Sequence, residues 1–319
     1  MVMAQALFKL LKSREPDRPL DVLAPEWSLP IVARMPEIRA GIASETAHGE
    51  IGFGTRRRIA ADIRGRHDRA IVMPRSFKSA LIPWLAKIPV RTGFRGESRF
   101  LLVNDVRPFD ATVLDQTVKR FVALGLEPGE VLPNGMPEPA LRVSTANRDR
   151  VLGKLGVSTD KPVIAMMPGA EYGPAKCWPL EYFASLAERL DGAGYAVWVL
   201  GSDKDTEAGD VISRGSAAVN LCGRTALEDV IDVLSACEQA VSNDSGLMHI
   251  AAAVGIHVHG IYGSSSAKFT PPLTKRRDIH EIELDCRPCF ERDCPLGHLR
   301  CLKDLLPGRV FEKIVSKSR

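Results

Sequence analysis

The sequence predicts an α/β protein of two Rossmann-like domains, each built on a mainly parallel sheet. Three observations predict it. The chain has 319 residues, 45% hydrophobic and 26% charged, which is the composition of a soluble globular protein and the length of two domains of about 150 residues each. Short apolar, β-branched runs alternate with longer amphipathic runs, as in successive βαβ units. The alternation is broken once, by the Pro- and Gly-rich stretch LEPGEVLPNGMPEPALRVST, and restarts near Ser158. The domains are accordingly placed at 1–157 and 158–319.

The first element is a helix. In MVMAQALFKLLKSREP, apolar residues at Val2, Met3, Ala6, Leu7, Leu10 and Leu11 mark one helical face, and Glu15 before Pro16 marks its end. No Ser, Thr, Asp or Asn precedes it as a cap, and a fold of this class normally begins with a strand. Strands follow at Leu20–Ala24, Ala70–Met73 and Arg91–Phe94. Helices are expected near Leu29–Met35, Thr55–Arg64, Phe77–Lys87 and Thr112–Leu124. After the linker, Thr145–Leu155 reads as a helix. The second half is cleaner. PVIAMMPG, YAVWVLGS, AAVNLCG, QAVSN and HVHGIYG are short apolar strands of the kind buried on both faces. PLEYFASLAERLDGAG, ALEDVIDVLSAC and SGLMHIAAAVG are the helices between them.

Composition narrows the function classes. No apolar run of about 18 residues exists, so no membrane-spanning helix is expected, and the absence of a basic leader with a small-residue cleavage site points to the cytoplasm. Seven cysteines, an odd number, argue against a disulfide framework in such a compartment. Net charge is +4 overall, yet Ile51–Phe100 alone carries twelve basic and three acidic residues. Solvated helix faces account for such a window, and so does a surface for an anionic partner. No motif or interleaving of aromatics supports nucleic acid as that partner.

Ligands of open parallel sheets bind beyond the carboxyl ends of the strands, and three strand ends carry distinctive residues. MMPGAEYGPAKCWP places Lys176 ahead of a helix; the residue reads equally as a phosphate ligand or a solvent lysine, and the GxxxxGK[ST] spacing of a P-loop is missing. VSNDSGLMHIAAA places Asn243 and Asp244 at cap positions, with Ser245 and Gly246 opening a helix whose free N–H groups suit an anion. Asp244 reads also as a plain N-cap. His249 follows one turn on, and a lone helical histidine is more often packing than catalysis. LGSDKDTEAG offers Asp203 or Asp205 to ribose hydroxyls, or forms a plain turn. Phosphate-type and ribose-type features in one domain suggest a nucleoside-diphosphate ligand, and the lack of GxGxxG disfavours a dinucleotide dehydrogenase. Near the C-terminus, Cys286, Cys289, Cys294 and Cys301 with His298 lie within CRPCFERDCPLGHLRC. Four soft ligands suit a structural Zn²⁺, although the spacing is not that of a zinc ribbon, and the same residues read as ordinary buried or surface thiols in a compact loop.

PGAEYGPAKCWP, SNDSGLMHIAAA, YGSSSAKFTPPL and CRPCFERDCPLGHLRCL, with PRSFKSAL and RTGFRGESRF in the first half, resemble the bacterial lipopolysaccharide heptosyltransferase II family of glycosyltransferase family 9. The match runs over nearly the whole chain. The resemblance implies a GT-B fold, two Rossmann-like domains facing across a cleft, and an inverting enzyme that needs no bound metal or other cofactor. The donor is ADP-L-glycero-D-manno-heptose, held by the C-terminal domain. The acceptor is heptosyl-Kdo-lipid A, held by the N-terminal domain against the cytoplasmic face of the inner membrane. Carried over residue by residue, Lys176, Asp244, Ser245, Gly246 and His249 surround the diphosphate and heptose. Asp205 binds ribose, and Thr225 and Leu227 line the adenine pocket. Ser76, Lys78 and Arg95 are acceptor-side residues, and the basic window meets inner-core phosphates and Kdo carboxylates.

Three departures accompany the resemblance. Cys177 stands where relatives usually have a base. His257 and His259 occupy a strand normally aliphatic and read as packing variation. Family members begin with a strand and a Gly-Asp turn ahead of the helix that starts here at Met1. That Asp is the proposed general base, so no residue of the chain is nominated as catalytic, and a first half lacking a central strand is expected to be poorly soluble. The rival readings are heptosyltransferase I or another GT-B transferase, and a donor-binding protein without catalysis.

Overall fold

The computed structural model describes residues 1–44 and 52–317. The chain divides into two compact units, Met3–Pro137 and Glu138–Arg319. The division falls inside the Pro/Gly-rich stretch, twenty residues before the expected boundary at 157, because helix α6 (Thr145–Leu155) belongs to the second unit. Side chains decide this. Ser144 Oγ caps the helix by accepting Asn147 N (3.2 Å), and Asn147 Nδ2 donates to Asp232 (2.7 Å) and Asp229 (3.1 Å).

In the first unit the elements run α1 (Gln5–Arg14), β1 (Asp21–Pro25), α2 (Leu29–Ala33), β2 (Ala40–Ser44), α3 (Phe53–Ile63), β3 (Arg69–Val72), α4 (Leu81–Leu85), β4 (Val90–Phe94), β5 (Asp105–Arg107) and α5 (Thr117–Ala123). A 3-10 turn, Val2–Ala4, leads into α1, which has no side-chain cap. α1 buries Ala6, Leu7 and Phe8 and packs on α5. There Gly125 lies so close that a Cβ would meet Leu7 Cδ1 at 2.5 Å. β1 pairs in parallel with β2, and β3, β4 and β5 form a second parallel sheet. Among the described residues no ladder joins β1 to β3, so one expected sheet is two. Leu23 of β1, Ile42 of β2 and Ala70 of β3 nevertheless pack on one cluster of Ile59, Ala60, Ile63, Ile82, Ala86 and Ile88. The helix expected over Phe77–Lys87 splits into a 3-10 turn, Phe77–Ala80, and the short α4. Pro83 cannot donate to the turn before it, which prevents one continuous helix. β2 and β5 escape the sequence pattern because both are short and lack an apolar run.

The second unit continues with β6 (Val163–Met167), α7 (Leu180–Gly192), β7 (Ala196–Val199), α8 (Thr206–Ser213), β8 (Val219–Asn220), α9 (Leu227–Leu234), β9 (Gln239–Asn243), α10 (Gly246–Val254), β10 (His257–Ile261), β11 (Arg277–His280), α11 (Arg300–Lys303) and α12 (Pro307–Val315). All strands are parallel, in the order β11-β10-β9-β6-β7-β8. Every residue of β6, β9 and β10 is buried; the apolar run of β6 requires it, while buried polar residues of β9 and β10 such as Asn243 and His259 are hydrogen-bonded. The chain leaves β6 towards one edge through β7 and β8, then returns to β9 on its other side. The strand order therefore reverses between β6 and β9, which is where such sheets hold ligands.

Candidate functional site

Lys176 and Asp244 meet at that reversal. Lys176 ends a 3-10 turn after β6, and Asp244 is the first residue past β9. The Lys176 ammonium donates to Asp244 Oδ2 at 2.6 Å, and Thr270 Oγ1 reaches Oδ1 at 3.4 Å. The two side chains are 18% and 5% exposed, so each charge needs the other. An unpartnered charge at this depth costs several kcal/mol. The backbone between the two is pinned by Asn243, fully buried, whose Nδ2 donates to Pro168 O (2.6 Å) and whose Oδ1 accepts Trp178 N (3.1 Å).

The sequence allowed Asp244 to be a helix cap. The structure assigns that place to Ser245, one residue later, and Asp244 turns to Lys176 instead. Ser245 makes no side-chain cap bond, so the first N–H groups of α10 carry the positive end of the helix dipole with no protein carboxylate as cap. Gly246, at the first helical position, is exposed, and a Cβ there would meet nothing within 4 Å. His249 lies one turn along and is half-buried; its Nδ1 has no hydrogen-bond partner. Burial holds this imidazole down at about 4, against the pull of Asp244, so it is neutral near physiological pH.

The next two strand ends complete the row. Asp205 follows β7 and closes a capping box in which its Oδ2 accepts both the N–H and the hydroxyl of Ser202 at 2.8 Å. It fills the space beside two strand-end glycines. A Cβ on Gly169 would meet Asp205 Oδ1 at 2.6 Å, and one on Gly201 would meet its Cβ at 2.7 Å. Thr225 and Leu227 follow β8 at the start of α9, and Thr225 Oγ1 is buried without a partner. The sheet thus brings Asp244, Lys176, Asp205 and Thr225 to the ends of four consecutive strands, β9, β6, β7 and β8.

The Cys-rich segment also has a structural part. Among the described residues, no three of the thiols of Cys286, Cys289, Cys294 and Cys301 come within 4.8 Å of one another, and all four are free. The segment braces the loop that carries Lys176. Arg292 O accepts Ala175 N (3.0 Å), Phe290 O accepts the Tyr172 hydroxyl (2.6 Å), and Arg287 Nε donates to Gly263 O (2.6 Å). Gly263 and Gly173 let these chains approach: Cβ atoms there would lie 2.4 Å from Ala175 O and 2.6 Å from Arg292 O. Ser264 and Ser265 keep buried hydroxyls without partners beside this loop. They and Thr270 were not singled out from the sequence, since serine and threonine in a turn look like ordinary loop chemistry.

In the first unit a cavity of about 850 Å³ is lined by Arg75, Ser76, Arg95, Glu97, Arg107 and Phe109 among others. It groups two expected residues, Ser76 and Arg95, and adds Arg75, whose guanidinium stacks 4.4 Å from the Phe109 ring centre. Lys78 is not among its lining; its carbonyl accepts the buried Arg56 guanidinium at 2.9 Å. Part of the basic window is therefore structural. Arg99, 2% exposed, donates to the carbonyls of Phe94 (2.7 Å) and Pro74, and Arg91 donates to Leu102 O (2.7 Å).

Comparison with known proteins gives the family. The model of glycosyltransferase family 9 (heptosyltransferase) matches residues 56–300. Lipopolysaccharide heptosyltransferase 2 of Salmonella typhimurium is 40% identical, over 99% of this chain and 94% of its own length. Lipooligosaccharide heptosyltransferase 2 of Haemophilus influenzae is also 40% identical, over 98% of this chain and 94% of its own. The solved structure of Escherichia coli ADP-heptose LPS heptosyltransferase II superposes with a TM-score of 0.88 at 38% identity, covering 99% of this chain and 94% of that one. A family 9 glycosyltransferase structure from Veillonella parvula, 16% identical, shares the fold with a TM-score of 0.84. The two parallel-sheet units are those of the GT-B class, and the chain belongs to glycosyltransferase family 9, the heptosyltransferases.

Proposed function

We propose that this chain transfers L-glycero-D-manno-heptose, with inversion, from ADP-heptose to the first heptose of the lipopolysaccharide inner core. The observation that carries the reading is the Lys176–Asp244 pair at the reversal of strand order, beside the uncapped start of α10. In the resting site Asp244 neutralises Lys176. An arriving diphosphate takes over the ammonium and the N–H groups of Ser245 and Gly246, and Asp244 is released towards sugar hydroxyls. As the anomeric bond breaks, negative charge grows on the leaving ADP, and fixed donors already aimed at it lower the barrier. Asp205, with Oδ2 committed to Ser202, offers Oδ1 to the ribose, while Thr225 and Leu227 border the adenine. These roles need no metal ion, because Lys176 and the helix dipole supply the positive charge.

The first unit supplies the acceptor side in this reading. Arg75, Arg95 and Arg107 line the 850 Å³ cavity, and their charges suit phosphates and Kdo carboxylates. Phe100 and Leu101, each 74% exposed, lie next in sequence to this arginine-rich segment. They support peripheral contact with the cytoplasmic face of the inner membrane, where a basic surface meets anionic lipid. Among the described residues no helix is long and apolar enough to cross a membrane.

The deciding experiment is transfer by the purified chain from ADP-heptose to two acceptors, heptosylated and heptose-free Kdo-lipid A. Transfer only to the heptosylated acceptor is the expected result. Transfer only to the heptose-free one would reassign the chain to heptosyltransferase I, and tight ADP-heptose binding without transfer would make it a donor-binding protein.

A further inference from the structure

The ends of the strands bind the donor in the reading above, but one face of the same sheet gathers imidazoles that heptosyl transfer does not use. Parallel register puts Gln239 of β9 beside His257 of β10, and His259 of β10 beside Asp278 of β11. These four residues, with His280 two places after Asp278, share one face under α12. Ring and carboxylate atoms of His257, His259 and Asp278 lie within 4.8 Å of one another, the one such group of metal-ligating atoms among the described residues.

The hydrogen bonds settle which atoms are available. Gln239 Nε2 donates to Ile314 O at 3.2 Å, which turns Oε1 towards His259. His259 Nε2, 2.8 Å from that Oε1, must therefore carry the proton, and Nδ1 holds the lone pair. An imidazole whose remote N–H is held by an oxygen, with its other nitrogen bare, is the arrangement metal-ligating histidines adopt. His280 Nε2 now fills the position facing Nδ1, at 3.1 Å. His257 Nε2 lies 2.7 Å from Asp278 Oδ2, and Lys317 Nζ is 3.9 Å from the same oxygen. The Lys317 side chain is 46% exposed, so it can withdraw into solvent, and Asp278 at 22% leaves a path inwards.

We propose that His257, His259 and Asp278 form a divalent-metal site of Zn²⁺ type, with Gln239 as the outer hydrogen-bond partner that fixes His259. Two neutral imidazoles and one carboxylate suit Zn²⁺ and neighbouring first-row ions rather than Mg²⁺ or Ca²⁺. The ion ties edge strand β11 to β10. It uses Nδ1 of His259 in place of the His280 hydrogen bond, and solvent or His280 completes the shell.

The Cys-rich segment is the rival ligand set, so the test removes it. The full chain carrying Cys286→Ser, Cys289→Ser and Cys294→Ser is stripped with chelator and titrated with Zn²⁺ by equilibrium dialysis, then with Co²⁺ by absorption. The expected result is a single bound ion and a Co²⁺ spectrum with d–d bands but no thiolate charge-transfer band. Asp278→Asn and His257→Gln, each in that background and each retaining the native circular dichroism, weaken Zn²⁺ binding by about 10- to 100-fold. Loss of metal binding in the folded Ser background would overturn the proposal, as would binding indifferent to both substitutions.

Discussion

The two units share a strand–helix grammar and differ in what holds them. The second is one six-stranded parallel sheet with a continuous apolar core around Trp178, Phe183 and Leu186. The first carries a two-stranded and a three-stranded sheet over several small clusters, with Arg56, Arg99 and Arg107 buried among them. Where apolar area is plentiful, the ladder sets the geometry and short loops after each strand can hold a polar site to a fraction of an ångström. Where it is scarce, guanidinium groups take over, as Arg99 does by joining the carbonyls of Pro74 and Phe94. The difference teaches that a basic stretch of sequence has two uses in one fold: Arg99 and Arg91 are spent on backbone carbonyls, whereas Arg75 and Arg95 face a cavity.

The largest test of that contrast is Trp178→Ala. The indole is fully buried, stacks edge-on with Phe183 at 4.9 Å, and donates from Nε1 to Leu305 O at 2.9 Å. Its removal should cost the second unit about 3–5 kcal/mol, read as a lowered urea midpoint. A change under about 1 kcal/mol would mean the core of this unit is not what holds it.

Lys176→Ala should lower kcat/KM for heptosyl transfer by about 10²–10³, with the fold retained. The same substitution at Arg95 should raise KM for the acceptor and leave donor affinity unchanged. Equal effects of the two on donor binding would erase the division of labour between the units.

Acid adds a third comparison. His249 stays neutral when folded, with its pKa pushed down to about 4 by burial, while the unfolded chain protonates near the ordinary value of about 6.5. Below about 6.5 the unfolded state takes up a proton that the folded site refuses, so stability falls as pH drops towards about 4, by up to about 3 kcal/mol. Asp21, in the first unit, is held below its ordinary value chiefly by Arg39. Its contribution is complete above the ordinary carboxylate value and is lost only as pH falls below it. Urea titrations of His249→Asn and the unsubstituted chain at two pH values check the order; equal acid sensitivity would refute it.

Gly246→Ala is the smallest and most diagnostic change. The added Cβ meets nothing within 4 Å in the free protein, so stability should stay within about 0.5 kcal/mol. Donor KM should nonetheless rise several-fold, because the methyl group stands where the ligand's phosphate meets the helix start. An unchanged KM would move the donor off α10.

Much of this was legible in the residues themselves. Runs such as PVIAMM and YAVWVL read as strands buried on both sides, and the turns after PVIAMM, YAVWVLGS and QAVSN carry Lys176, Asp205 and Asp244. The strands that went unseen are AGIAS, DVR and RDIH, short runs of small or polar residues whose ladder bonds depend on neighbours rather than on their own composition. The surroundings of His257 and His259 were also beyond the sequence, for a physical reason. Alternate residues on one strand reveal a shared face, but the carboxylate of Asp278 and the imidazole of His280 that meet them come from β11.

Sequence by itself determined the class, the tandem arrangement and which polar residues stand near each strand end, because these depend on local periodicity and on residue type. Only the tertiary structure decided which ends adjoin. The order β11-β10-β9-β6-β7-β8 sets Lys176 against Asp244 across 68 residues of chain. The same packing turned Asp244 from a cap into an ion-pair partner, and it set the Cys-rich segment as a brace against the loop that carries Lys176. Pairing between distant segments is fixed by burial and hydrogen-bond satisfaction over the whole unit, and no window of sequence contains that information.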